Sequence, residues 1–282
     1  MTIAITSIQR DRNPWIVEWL AFHLLAGFEH FYLYCHKTGD GMTQTLQRLA
    51  RHYPITVYVI DGDDRPQLAA YRHAIGQHLA GVDWMAFIDG DEFLFPTAQP
   101  TMRSALASFA GQPLSALGVY WLCYGSNGHI QEPQGLMLEN YPRHSAAEFG
   151  PNRHIKSIVR GGQAARDVAP GWCSHFFQTG GATLDELLRP IPGPMLEDPA
   201  QQPSYRHFRI NHYVTQSLDY FRRSKQGMGA ADRGPGVVRP DHWFSGHDRN
   251  ECDDGVAARF LPALRAKVRE MELALARVPG PP

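Results

Sequence analysis

Three carboxylates stand almost side by side in Asp89-Gly90-Asp91-Glu92, directly after the apolar run Trp84-Met85-Ala86-Phe87-Ile88. Such a run reads as a strand buried on both faces, and Phe93-Leu94-Phe95 returns the chain to the interior. Like charges at the mouth of a buried strand repel one another and lose hydration, so something positive must neutralise them. A hard divalent cation, Mn²⁺ or Mg²⁺, suits carboxylate oxygens. Alternate strand residues point to opposite faces, but a bend at Gly90 would let Asp89 and Asp91 converge. The same residues would also make a plain acidic turn, because a bare Asp-x-Asp is common.

The elements that must position this cluster alternate. Strand-like runs cover residues 3–8, 30–35, 55–60 and 84–89, and helical spacing covers 13–26, 42–53 and 68–79. Asn13 suits an N-cap, Pro14 the first helical position and Gly27 a stop. The alternation predicts a parallel sheet with helices over its faces. Sheets of that kind bind ligands beyond the carboxyl ends of their strands. Arg10, His36, Asp61 and Asp89 each follow a strand, so the site is expected on the edge they share.

The chain has 282 residues, 43% hydrophobic and 20% charged, with a formal net charge of −1. That describes an ordinary globule with no electrostatic case for nucleic acid or an anionic membrane. Cys35, Cys123, Cys173 and Cys252 are widely spaced, as buried thiols in a reducing compartment would be. No basic leader precedes the first strand, and no apolar run approaches the roughly 20 residues that span a bilayer. A cytoplasmic protein is expected, at most peripheral to an inner membrane.

The blocks of the chain resemble a family. Arg10-Asp11-Arg12-Asn13-Pro14-Trp15-Ile16-Val17-Glu18-Trp19-Leu20, with His23 and Gly27, is similar to the opening motif of glycosyltransferase family 92 and its bacterial relatives among the family 2-like transferases. In that motif Arg/Lys-Asn-Glu precedes Glu-Trp and a His; here Asp11-Arg12 replaces the Asn-Glu. Thr38-Gly39-Asp40-Gly41, Gln67 with Tyr71, and Asp89-Gly90-Asp91-Glu92-Phe93-Leu94 resemble the next three blocks. Tyr124 to Gly128, Lys156 to Val159, and Ile210 to Tyr213 with Ser217 continue the resemblance in the family's order.

The resemblance implies one GT-A-like α/β domain over 1–282. Residues 1–96 would be its nucleotide-sugar-binding half, a Rossmann-type, mostly parallel sheet flanked by helices. Residues 97–229 would be a mixed-sheet acceptor half, and 230–282 a C-terminal loop and helix. It further implies a UDP- or GDP-sugar donor, a glycan, polysaccharide or glycolipid acceptor, Mn²⁺ or Mg²⁺, and inversion at the anomeric carbon. Metal ligands would be Asp89, Asp91 and His212. Donor contacts would be Arg10, His36, Asp61, Gln67, Asp89 (on metal or ribose) and Lys156. Gly125, Ser126 and Asn127 would meet the acceptor. Glu92 or Asp167 would be the general base, with Asp185 and Asp198 as further candidates, and Glu92 could equally orient a metal ligand or a backbone amide. A metal-dependent phosphohydrolase or nucleotidyltransferase is the alternative, since acidic clusters at strand ends serve those chemistries too.

Elsewhere the chain is less regular. Residues 102–109 read as a helix, 116–123 and 154–160 as strands, and 179–203 as an irregular loop. A strand at 210–214 leads into a helix stopped by Gly227, and a Gly- and Pro-rich stretch to 254 reads as a loop over the site. Lys225 and Arg223 are within reach of phosphates or form a solvated basic face. His175 reads as a core histidine. His242, His247, Asp248, Asp253 and Asp254 match no metal-ligand spacing. A final amphipathic helix is capped by Asp254.

Overall fold

The computed structural model describes residues 1–62, 64–162, 168–228 and 238–277. Its centre is β1 (Ile3–Gln9), whose seven residues are all buried and carry no charge. β2 (His30–His36) and β3 (Ile55–Ile60) extend the sheet on one side of β1, and β4 (Trp84–Phe87) joins on the other, all parallel. The chain therefore runs outward from β1 to β3 and then crosses back to β4. A doubly wound sheet opens a crevice where the winding reverses, here between the ends of β1 and β4. Gln9 lies level with Cys35 and His36 with Ile60, so Arg10, His36, Asp61 and Asp89 do leave the sheet at one edge.

Helices cover this half as the spacing predicts. α1 (Asn13–Ala26) has Pro14 in its first turn, and Gly27, at φ 99°, ends it by donating its N–H to His23 O at 3.1 Å. Asn13 is the first helical residue rather than the cap, and its N–H donates to Asp40 Oδ2 at 2.7 Å. α2 (Met42–Leu49) buries Met42, Leu46 and Leu49, and α3 (Pro66–His78) buries Leu68, Tyr71 and Ile75.

Beyond β4 the sheet becomes mixed. β5 (Glu92–Pro96) and the short helix α4 (Met102–Ala107) lead to the long β6 (Leu114–Cys123). After α5 (Met137–Asn140), β7 (Ile155–Arg160) inserts antiparallel between β4 and β6. A two-stranded hairpin, β8 (Ala169–Pro170) with β9 (Phe177–Gln178), stands apart from the main sheet. β10 (Ala182–Asp185) runs parallel to β6, and β11 (Phe208–His212) runs parallel to β6 and antiparallel to β5. One sheet thus crosses the residue ranges 1–96 and 97–229. This is the α/β, GT-A-like arrangement expected: a parallel Rossmann-type half joined to a mixed half. The 179–203 stretch is not wholly irregular, since Thr183 and Leu184 of β10 bury themselves beside β6.

Ser217 caps α6 (Leu218–Tyr220) by accepting the Tyr220 N–H at 3.1 Å. The helix then widens into a π-helical turn at Phe221–Lys225 and finishes as α7 (Gln226–Met228). α8 (Asp241–His247) lies within the stretch expected to be loop. Gly255 rather than Asp254 is the N-cap of the 3₁₀ turn that leads into α9 (Leu261–Arg277), and Asp254, one residue earlier, accepts the Val256 N–H at 3.1 Å. α9 packs on α1, burying Leu264 and Met271.

Candidate functional site

A cavity of about 340 Å³ opens at the reversal point. The end of β1 supplies Ile8, Gln9 and Arg10 to its wall, and the turn after β4 supplies Asp89, Gly90 and Asp91. Arg12 and Gln67 come from the helical side, His212 and Lys225 from β11 and the π turn, and Arg239, Trp243 and His247 from in and around α8. Gly90 packs closely there: a Cβ would stand 2.7 Å from the end of the Gln9 side chain, which would have to shift to admit it. Among the described residues, four cationic side chains and two carboxylates line the wall, a balance that favours a multiply charged anion.

Asp89 is held on both oxygens. Gln67 donates to Oδ1 at 2.5 Å and Lys156 to Oδ2 at 2.8 Å. Lys156, on β7, is itself fully buried and stands outside the wall, so it meets the cavity through Asp89. Its ammonium also lies 3.7 Å from Glu92 Oε1. Burial pulls the pKa of Lys156 down, but Asp89 and Glu92 outweigh that and hold it above the ordinary lysine value. Glu92 shifts upward because burial outweighs the attraction of Lys156. Lys156 pairs with the nearer Asp89, and burial favours the protonated form of Glu92. Glu92 accepts the Asp89 N–H at 2.9 Å and lies outside the wall, so the structure makes it a brace for the turn.

Asp91 has different partners. Its Oδ2 accepts from Lys225 Nζ and lies 3.7 Å from His212 Nε2. Burial works to raise the Asp91 pKa, and Lys225 and His212 override it, so the carboxyl stays well below the usual carboxylate range. Burial lowers the His212 pKa against the pull of Asp91, and its buried Nδ1 has no hydrogen-bond partner among the described residues. A carboxylate oxygen and a neutral imidazole on one wall fit a divalent cation whose other ligands are phosphate oxygens and water. Among the described residues no three His, Cys, Asp or Glu side chains converge to hold a metal. The bend at Gly90 thus directs Asp89 and Asp91 to separate cations.

Arg12, in the position where the motif departs from the family, is a structural clamp. It donates to Gly90 O at 3.0 Å, to Tyr220 Oη at 2.6 Å and to Gln216 Oε1 at 3.3 Å, and its guanidinium lies 4.5 Å from the centre of the Trp15 ring. Planar, five-donor geometry is what that task requires. Histidines form another wall. His154, His175 and His212 surround Trp121 with ring centres 4.2 to 5.1 Å away. His154, His175 and His247 each donate Nδ1–H to a backbone carbonyl (Pro151, Ile155 and Trp243), which leaves Nε2 as the lone-pair nitrogen. Burial lowers the pKa of all three.

The remaining expected residues that the structure describes stand outside the wall. His36 lies within hydrogen-bonding distance of Gly62 O, 2.9 Å from Nε2, and Asp61 is exposed on the same sheet edge. The 125–128 loop is tied to the segment after α8: Asp248 accepts the Ser126 N–H at 2.5 Å and its hydroxyl at 3.0 Å, and Asn250 accepts the Asn127 N–H at 2.8 Å. Gly125 is glycine because a Cβ would meet Arg249 O at 2.4 Å. Asp167 lies outside the described residues. Asp185 and Asp198 are bound up in local structure, Asp185 by Arg189 and Tyr120 and Asp198 by Ala200 and Gln201. Arg239 and Trp243 had no signal in the sequence beyond a glycine-rich setting, and His247 stood out there only within a His and Asp group that lacks metal-ligand spacing.

A model of "Glycosyltransferase family 92" matches residues 1–164. The chain belongs to glycosyltransferase family 92. A family 92 protein of Oryza sativa subsp. japonica is 24% identical over 262 residues, covering 86% of this chain and 41% of the relative. One from Arabidopsis thaliana is 21% identical, with 86% and 43% covered. The chain thus spans about two fifths of the length of these relatives. Among solved structures, a fragment of S. aureus TarS in complex with UDP aligns with 57% of this chain and 47% of its own, at 16% identity and a TM-score of 0.37. No residue assignment rests on so partial a likeness.

Proposed function

We propose that this chain transfers a sugar from a nucleoside-diphosphate donor, UDP- or GDP-linked, to a hydroxyl of a glycan, polysaccharide or glycolipid acceptor. The observation that carries this reading is a cation-rimmed crevice at the reversal point of a family 92 sheet, with Asp89-Gly90-Asp91 at its lip. Negative charge builds on the diphosphate as the sugar leaves, and fixed positive charge nearby lowers that barrier. Arg10 and Lys225 line the wall as candidates for that charge. Asp91 and His212 would hold a divalent cation, Mn²⁺ or Mg²⁺, which when bound supplies further positive charge against the leaving diphosphate. Gln67 and Lys156 keep Asp89 in one orientation, in which it would accept from the donor's ribose hydroxyls.

Inversion, the stereochemistry the family resemblance implies, needs one proton acceptor opposite the leaving group. Glu92 is buried away from the wall, so a lone-pair imidazole of the wall is the better placed base. His247 is favoured, because Asp248 beside it anchors the 125–128 loop. The test is a donor-hydrolysis and transfer screen over UDP- and GDP-sugars with Mn²⁺, product configuration being read by NMR. No nucleotide sugar consumed, alongside rapid turnover of a simple phosphate ester, would refute the reading.

A further inference from the structure

We propose that Lys225 is an exchangeable counter-ion: its ammonium neutralises Asp91 in the donor-free protein and moves to the diphosphate when a divalent cation takes Asp91 and His212. The second half of this exchange rests on the donor reading above; the first half does not.

The geometry begins at one oxygen. Asp91 Oδ2 accepts from Lys225 Nζ, and the same oxygen faces His212 Nε2 at 3.7 Å. A cation bound by Asp91 and His212 would need the place the ammonium holds, so Lys225 and a metal exclude each other there. The ammonium also donates to Val214 O at 2.6 Å. The contact is therefore a defined position and not a loose surface pair.

Lys225 is built to leave that position. Its side chain is 13% exposed and lines the cavity, whereas Lys156, the counter-ion of Asp89, has a side chain with no exposure at all. A lysine carries a point charge on a flexible four-carbon stem, so the charge can travel while the backbone stays. The backbone here is braced. Arg239 donates to Lys225 O at 3.0 Å, and Phe221, at the start of the same turn, stacks on Trp243 at 5.7 Å. The turn is π-helical, a conformation that recurs at functional sites.

Two effects of opposite sign follow. Lys225 competes with a divalent cation for Asp91 but acts with that cation on a diphosphate. Removing the charge should tighten metal binding to the protein alone and weaken nucleotide binding. A merely structural ion pair predicts no such opposition, since its loss would leave Asp91 disordered and weaken both.

The experiment compares the wild-type chain with Lys225→Met, which keeps the stem, and with Lys225→Gln as a second variant. Mn²⁺ alone is titrated by calorimetry and by electron paramagnetic resonance, and then UDP and GDP are titrated in the presence of Mn²⁺. The expected result is Mn²⁺ affinity at least roughly tenfold higher in both variants and nucleotide affinity at least roughly tenfold lower, within the usual range of coupling between sites. Asp91→Asn placed on Lys225→Met should abolish the gain. Unchanged or weaker Mn²⁺ binding by a variant whose thermal unfolding shows it folded would overturn the exchange. A gain in Mn²⁺ affinity with no nucleotide bound by any of the proteins would support the competition at Asp91 and refute the glycosyl-transfer reading instead.

Discussion

Replacing Lys156 by Met removes the positive end of a buried pair without removing the side chain's bulk. Lys156 Nζ lies 2.8 Å from Asp89 Oδ2. At that distance, and at an effective dielectric of about 20, the attraction is about 6 kcal/mol. The Asp89 side chain is 32% exposed, so solvent screens the pair and roughly half, about 3 kcal/mol, is expected to survive. That agrees with the loss of about 3 to 5 kcal/mol usual when one member of a buried pair is deleted. Urea unfolding of the two proteins at pH 7.5 should show it as a lower midpoint with an unchanged slope. The double variant Lys156→Met with Asp89→Asn should recover part of the loss, giving a coupling energy of about 2 kcal/mol or more. An unfolding midpoint equal to wild type, or a coupling below about 0.5 kcal/mol, would refute the assignment of Lys156 to Asp89. A lysine acting only as a solvent-facing phosphate contact would show neither effect.

Glu18 is buried on α1, where its carboxylate accepts the N–H groups of Met137 at 2.7 Å and Leu138 at 3.1 Å, and burial pushes its pKa up to about 7. The folded state therefore binds this proton more tightly than the unfolded state, so raising the pH from 4.5 to 7 should lower stability by about 3 kcal/mol through this group. In Glu18→Gln, denaturant titrations across that window should lose this slope, and an unaltered slope would clear Glu18 of the effect. Asp248→Ala frees Ser126 and its loop, so transfer to acceptor should fall about tenfold or more while donor hydrolysis continues. Equal losses in both reactions would place Asp248 in general stability instead.

Much of the parallel half was legible because its signals are local. The apolar runs at Ile3 to Ile8, Ile55 to Ile60 and Trp84 to Ile88 alternate with helical spacing, and this requires crossovers that put every strand end on one edge. The acidic turn was legible for the same reason. What was not legible depends on residues far apart in the chain. Glu92 reads either as a general base or as a group that orients a metal ligand or a backbone amide, and its burial beside Lys156, 64 positions later, with its bond to the Asp89 N–H favours the second. Arg12 looks like a loss from its motif until Tyr220 and Gln216 arrive more than 200 residues later. β10 is four residues among prolines and glycines, and its pairing with β6 supplies what its own sequence lacks. α8 is short and capped by no side chain, and it is held by Phe221 stacking on Trp243.

The two aspartates of the turn are not equivalent, and the difference arises from which strand supplies each cation. Asp89 is met from β7, a strand inserted between β4 and β6 whose lysine can reach it only from inside the sheet. A charge fixed there stabilises the fold and sets one orientation of Asp89, but it cannot follow a substrate. Asp91 is met from the segment after β11, where the Tyr213 N–H donates to Asp91 O at 2.9 Å and the lysine arrives across the cavity. Returning the chain to this point brings His212 and Lys225 to the same carboxylate oxygen, one as a neutral nitrogen and one as a mobile charge. A turn whose first carboxylate is locked and whose second is exchangeable can therefore keep its shape while its charge balance changes.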